Sequence, residues 1–351
     1  MNKELSTYLD LLRVGAAATV FLGHLSWMAI SGGFFWQVQP YGHSAVIVLF
    51  VLSGFVISYA AEVKERTLFD FSVARLARLY SVVLPAILLT VVCDAIGTQH
   101  NPAVYDMSRE THPLWRLLLG VLFLTQSWGH TSLLSNEAYW SLPYEFWYYV
   151  IFAAATFLKG WQRVLVLVAS CALAGPGILV MAPIWAAGAV AYRLAKHAIL
   201  GQAVARTIWI ATGVAAIAVI LNNRIPASAE SLFLPAAFSG WDFLLGFLVA
   251  ANIFSASFLS FGLAKFHAPL AKLAGMTFAL YLFHLPLLHL AAATIPTALP
   301  MPVRGLIEGG LTLTAVYLLS FITEGQKHRW RGAIRWLLRP LGGLESKKSA
   351  A

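Results

Sequence analysis

Apolar residues in this chain come in long unbroken runs. Ten windows stand out, at 9–29, 43–61, 79–96, 139–158, 163–180, 182–195, 207–222, 238–254, 273–295 and 305–323. A transmembrane helix needs about 20 predominantly apolar residues to cross a hydrocarbon core of about 30 Å. A membrane β-barrel would instead show alternating segments of about ten residues, whereas 45–59, for one, is continuously apolar. The pattern predicts an all-α integral membrane protein with about ten transmembrane helices. An eleventh run, 114–124, is short for a crossing and sits among polar residues, so it is expected to be re-entrant or interfacial.

Composition removes the soluble alternatives. Of 351 residues, 59% are hydrophobic and 11% charged, with mean hydropathy +0.74; globular domains carry about 25% charged residues, and half of that leaves too little polar surface to coat a particle of this size. The net charge of +9 would suggest nucleic acid in a soluble protein. Here it reads through the tendency of Lys and Arg to stay in cytoplasmic loops. With a cytoplasmic N-terminus and no crossing by 114–124, nineteen of the 24 Lys and Arg fall on the cytoplasmic side, and the outer loops keep Arg109, Arg116, Arg224 and Arg304. A crossing there would move the tail and three basic loops outside, so both termini are expected to be cytoplasmic and nucleic acid is not an expected partner. Asp10 and Arg13 interrupt the first run, which is too long for a cleaved signal. Cys93 and Cys171 lie in separate apolar runs and read as core residues. Two regions are expected: a transmembrane domain over 1–324 and a basic cytoplasmic tail over 325–351. Trp330, Ile334, Leu337 and Leu338 would give the tail an apolar face for the anionic inner leaflet, or the tail does no more than set topology.

Ionisable side chains inside spans are expensive and mark function by default. Arg13 and His24 are eleven positions apart, which places them within about 20° of one helix face and about 16 Å apart along the axis. Glu145, in Trp140-Ser141-Leu142-Pro143-Tyr144-Glu145, would lie about 9 Å below the outer boundary and His24 about 8 Å below it, so the two could meet. A carboxylate beside an imidazole suits a general base. The structural alternatives are an Asp10–Arg13 pair, a histidine bonded to a neighbouring helix, and a buried structural acceptor at Glu145. Arg75 and Arg78, at i,i+3 before the third span, could grip phosphate or simply set topology. Ser53-Gly54 places two small residues mid-span where helices or a ligand chain come close, and His284 precedes Pro286, as a site residue or at a capped kink. Metalloprotease, Walker-loop and nucleophile-elbow motifs are lacking, and no metal is expected.

At these residues the sequence resembles the acyltransferase-3 family of bacterial multi-pass membrane O-acyltransferases. The likeness rests on Leu9-Asp10-Leu11-Leu12-Arg13 with His24, the Phe-x-Leu-Ser-Gly-Phe run at 50–55, the Arg75/Arg78 pair, Trp140-Ser141-Leu142-x-x-Glu145 and Tyr281-Leu282-x-His284, in that order over most of the chain. It departs where a glycine is usual at Leu11, a second glutamate at Phe146, and a Glu-x-Pro pattern at Glu324-Gly325-Gln326. The resemblance implies O-acylation, usually O-acetylation, of a cell-surface polysaccharide (exopolysaccharide or lipopolysaccharide) or related glycolipid from cytoplasmic acetyl-CoA or another acyl-CoA, at the bacterial inner membrane. Arg13, Arg75, Arg78, Ser53 and Gly54 would hold the donor. His24, aided by Glu145, would activate the acceptor hydroxyl, directly or through an acyl-histidine. Trp140, Ser141, Tyr144 and His284 would line the acceptor site, and the outer aromatics Trp27, Trp36 and Trp128 suit sugar stacking. Expected partners are acyl-CoA, the glycan acceptor and the bilayer; homo-oligomerisation is left open. Two other readings remain: a transporter or flippase of a lipid-linked anion, against which the lack of a two-half repeat counts mildly, and another membrane O-acyltransferase type centred on a late histidine, His284.

Overall fold

The computed structural model describes residues 1–108, 112–222 and 239–348. The expected outer cations Arg109 and Arg224 lie outside these residues, as do 349–351 of the tail. The described residues form helices and connecting turns with no β-strand: α1 (Lys3–Leu25), α2 (Gly42–Val63), α3 (Leu68–His100), α4 (Pro113–Val121), α5 (Ser141–Phe157), α6 (Gly160–His197), α7 (Gln202–Asn222), α8 (Gly240–Ala256), α9 (His267–Ala274), α10 (Thr277–Thr294), α11 (Met301–Ile322) and α12 (Lys327–Lys348). Among the described residues, seven stretches are long and apolar enough to cross a membrane: α1, α2 with the turn before it, α3, α6, α7, α10, and α11 running on toward α12. Helices α5 and α8 are shorter, at 17 residues each. Outer faces carry the apolar residues that a lipid environment accepts; on α3, Leu84, Leu88, Val92 and Ile96 are exposed at i,i+4 spacing.

The windows 163–180 and 182–195 form one 38-residue helix broken at Gly175, where φ 79° and ψ 168° leave helical conformation. Unbroken, 38 residues at 1.5 Å each would span about 57 Å, nearly twice the hydrocarbon core. Its second half follows α2 in the same direction, since Trp185, Tyr192 and Lys196 meet Ser53, Tyr59 and Glu62 in turn. Its first half ends where Trp128 Nε1 donates to the Ala172 carbonyl at 2.8 Å. The chain therefore reverses at Gly175, and a Cβ there would stand 1.7 Å from the Ser127 carbonyl oxygen. Both the fold and that contact demand glycine.

Helix α4, nine residues and about 13 Å, cannot cross. Leu114, Trp115 and Leu118 are exposed, and Tyr139 and Tyr80 donate to the Gly120 and Val121 carbonyls at its end.

At the end of the bundle where α1 and α3 begin and α2 ends, polar contacts tie the elements together. Glu4 accepts backbone N–H bonds from Phe261, Leu263 and Ala264 at 3.0–3.1 Å, and Arg335 of α12 meets Asp70 of α3 at 2.8 Å. We call this the basic end. The apolar face of α12 differs from expectation. Ile334 is buried against Val73 and Ala77 of α3, with Trp330 and Leu338 beside it, while Leu337 points away and is 63% exposed. Protein, rather than lipid alone, covers that face.

Candidate active site

A cavity of about 750 Å³, counting its open mouth, lies among α1, α2, α3, α5 and α10. Arg13, Arg75 and Arg78 line one part of it, and Ser53, Glu145, Tyr149, Ser141 and Tyr281 another. The helices explain this gathering. One face of α1 presents Arg13 and one turn of α3 presents Arg75 and Arg78, while α2 and α5 run parallel so that Ser53 meets Glu145 and Tyr149.

The three arginines differ in their partners. Arg13 pairs with Asp10 at 3.4 Å, one turn earlier on its own helix. Arg75 is held by the buried Glu65 at 2.5 Å. Arg78 makes no ion pair within 4 Å among the described residues; its guanidinium lies over the Phe278 ring, 5.5 Å from the centroid. A partly buried cation without a bound anion is costly, so Arg78 is the cation most open to a ligand. Glu145 accepts from Ser53 Oγ at 3.2 Å and from the Tyr149 hydroxyl.

At the far wall of the cavity, Tyr281 bonds Ser141 at 2.7 Å. One turn further along α10 lies His284, fully buried. Its Nδ1 is 2.8 Å from the Leu280 carbonyl oxygen and its Nε2 is 2.7 Å from His24 Nδ1. A carbonyl only accepts, so His284 carries its proton on Nδ1. With both rings neutral, His284 Nε2 must accept, His24 Nδ1 must donate, and His24 Nε2 is left as a free lone pair. The geometry thus sets the tautomer of His24. His24 is only partly buried and stands edge-on to Trp27 with ring centroids 4.8 Å apart.

His284 is supported from below the helix as well. Pro286 lacks the N–H that would bond the Leu282 carbonyl, and Asn136 Nδ2 donates to that carbonyl instead at 3.0 Å.

The structure places the expected residues in three groups. Arg13, Arg75, Arg78, Ser53, Ser141 and Glu145 line the cavity. His24 does not; it forms a pair with His284, and no His24–Glu145 hydrogen bond is made among the described residues. Gly54, Trp140 and Tyr144 serve packing. A Cβ on Gly54 would be 2.0 Å from the Trp185 carbonyl, and one on Gly188 2.0 Å from that of Val51, so the two glycines let α2 and α6 touch. Tyr144 is fully buried in an aromatic cluster with Phe50, Trp140 and Tyr148, and Trp140 stacks on His43. Sequence reasoning missed Glu65 and Tyr149, and named Tyr281 within a motif without giving it a role. Tyr149 was within reach, since i,i+4 from Glu145 puts the two on one helix face; Glu65 offered no such signal. Among the described residues no group of His, Cys, Asp or Glu could hold a metal ion.

A polytopic helical fold with an arginine-lined internal cavity and a bonded histidine pair defines a helical membrane protein. Residues 6–323 match a family model described as an acyltransferase domain. The chain belongs to this acyltransferase-3 family and is a multi-pass membrane acyltransferase. No curated protein and no solved structure matches it.

Proposed function

We propose that the protein is an O-acyltransferase that moves an acyl group, acetyl in the first instance, from cytoplasmic acyl-CoA to a hydroxyl of a cell-surface polysaccharide or related glycolipid. In this reading α5, α8 and both halves of α6 also cross, which makes ten spans with both termini on the cytoplasmic side of a bacterial inner membrane. The cavity carries the proposal. Its arginines suit the phosphates of the donor, and its far wall, at Ser141 and Tyr281, adjoins the histidine pair.

The chemistry follows from the tautomer. His24 Nε2 takes the proton of the acceptor hydroxyl as its oxygen bonds the thioester carbonyl carbon. The imidazolium so formed keeps its Nδ1–H bond to His284. When the carbon–sulfur bond breaks, the thiolate recovers the proton from His24. Glu145, on the cavity side with Arg13 and Arg78, acts on the donor, and His284 is a positioning residue for His24. The pairing also means that a late-histidine mechanism and a His24 mechanism share one hydrogen bond, so both alanine variants lose activity and only the sizes of the losses separate them.

The test is purified protein in lipid with labelled acetyl-CoA and candidate glycans, followed by mass analysis of the acceptor. Acylated glycan is expected from the wild type and not from His24→Ala of equal expression and thermal stability. Full activity in His24→Ala, or translocation of a lipid-linked anion without consumption of acyl-CoA, would overturn the proposal.

A further inference from the structure

We propose that the tail helix α12 completes a phosphate-binding site at the mouth of the donor cavity. A second cavity of about 420 Å³ lies between α3 and α12. Arg75, Arg78 and Ser81 of α3 line it, with Lys327 and Arg331 of α12 and the carboxylate of Glu324. Arg75 and Arg78 line both cavities, so the two sites adjoin across these side chains.

The placement of α12 is specific. Ile334 seats between Val73 and Ala77, and Arg335 bonds Asp70, so α12 runs antiparallel to the first turns of α3. That register directs Lys327 and Arg331, one turn apart on one face, toward Arg75 and Arg78. Neither Lys327 nor Arg331 makes an ion pair within 4 Å among the described residues, in contrast to Arg335 on the same helix. Arg75 is already paired with Glu65, so Arg78, Lys327 and Arg331 against the Glu324 carboxylate leave a net charge of about +2 facing one concave space. Topology alone requires basic residues at this end, but not their convergence on a cavity. The ligand chemistry is a phosphate ester, and the two arginines shared with the main cavity favour the nucleotide end of acyl-CoA, with the acyl-bearing arm directed toward Arg13. This assignment rests on the donor-site reading; the other source of the same chemistry is an anionic lipid headgroup.

The test uses full-length protein in phosphatidylcholine nanodiscs titrated with adenosine 3′,5′-bisphosphate and, separately, with acetyl-CoA. The double variant Lys327→Gln/Arg331→Gln should bind both at least tenfold more weakly, with the KM for acetyl-CoA rising in proportion. Glu324→Gln should bind both more tightly, a change of sign that damage to the fold would not produce. Wild-type affinity for both ligands in the double variant overturns the role of α12 and leaves the donor-site reading standing. Bisphosphate binding without acetyl-CoA binding by the wild type overturns the donor-site reading while the phosphate site survives. If the double variant instead loses only co-purified phosphatidylglycerol, the occupant is a headgroup and the donor assignment falls.

Discussion

His284 supplies the sharpest test of the histidine pair. In the ground state it fixes the His24 tautomer; in the proposed transition state its Nε2 would accept from the Nδ1–H of a His24 imidazolium. Hydrogen bonds to charged groups contribute about 1.5–3 kcal/mol, and each 1.36 kcal/mol is tenfold in rate. His284→Ala should therefore lower kcat about 10- to 160-fold. His24→Ala removes the proposed base itself and should cost more, on the order of 10²- to 10⁴-fold. In His284→Gln the amide oxygen can take the place of Nε2 as acceptor, so most of the loss should be recovered. The assay is release of free coenzyme A thiol by purified variants in lipid at saturating acceptor and donor, with thermal unfolding as the folding control. Turnover within twofold of wild type in His284→Ala would refute the reasoning. A loss larger than that of His24→Ala would refute it too, by making His284 the base.

Other outcomes follow from single contacts. Arg78→Ala should raise the KM for acyl-CoA at least tenfold, read from initial rates, because Arg78 is the cavity arginine that makes no ion pair within 4 Å among the described residues. Gly54→Ala places a methyl group 2.0 Å from a backbone oxygen of α6; parting the helices should cost about 1–3 kcal/mol, seen as a lower unfolding temperature in detergent. Asn136→Ala leaves the Leu282 carbonyl opposite Pro286 without its donor, and an unpaired buried group costs about 1–3 kcal/mol; thermal unfolding again measures it, and kcat should fall with it as the helix carrying His284 loses that support.

The helical membrane class, the family and the location of most apolar segments were legible in the sequence, because crossing lipid imposes a length and a composition on each segment independently of its neighbours. Ordered polar residues inside those segments were legible for the same reason, since each is too costly to be there by accident. So Arg13, Arg75, Arg78, Ser53 and Glu145 could be picked out before their positions were known. Which of them face one another could not. Depth along a helix axis put His24 level with Glu145, but depth says nothing about rotation or about which helices are neighbours. The tertiary packing turned Glu145 toward Ser53 and Tyr149, and brought His24 to His284, 260 positions away.

The same limit applies to the tail and to α6. Hydrophobic periodicity gave α12 an apolar face without saying whether lipid or protein covers it; α3 does, through Val73 and Ala77. Two apolar windows suggested a break near 181, whereas the turn sits at Gly175, where a left-handed backbone and contact with the Ser127 carbonyl exclude any side chain. Segment chemistry, which the bilayer selects residue by residue, was determined by the sequence alone. Partnership between segments was decided only by the tertiary structure, because it depends on close approach of surfaces that lie far apart along the chain.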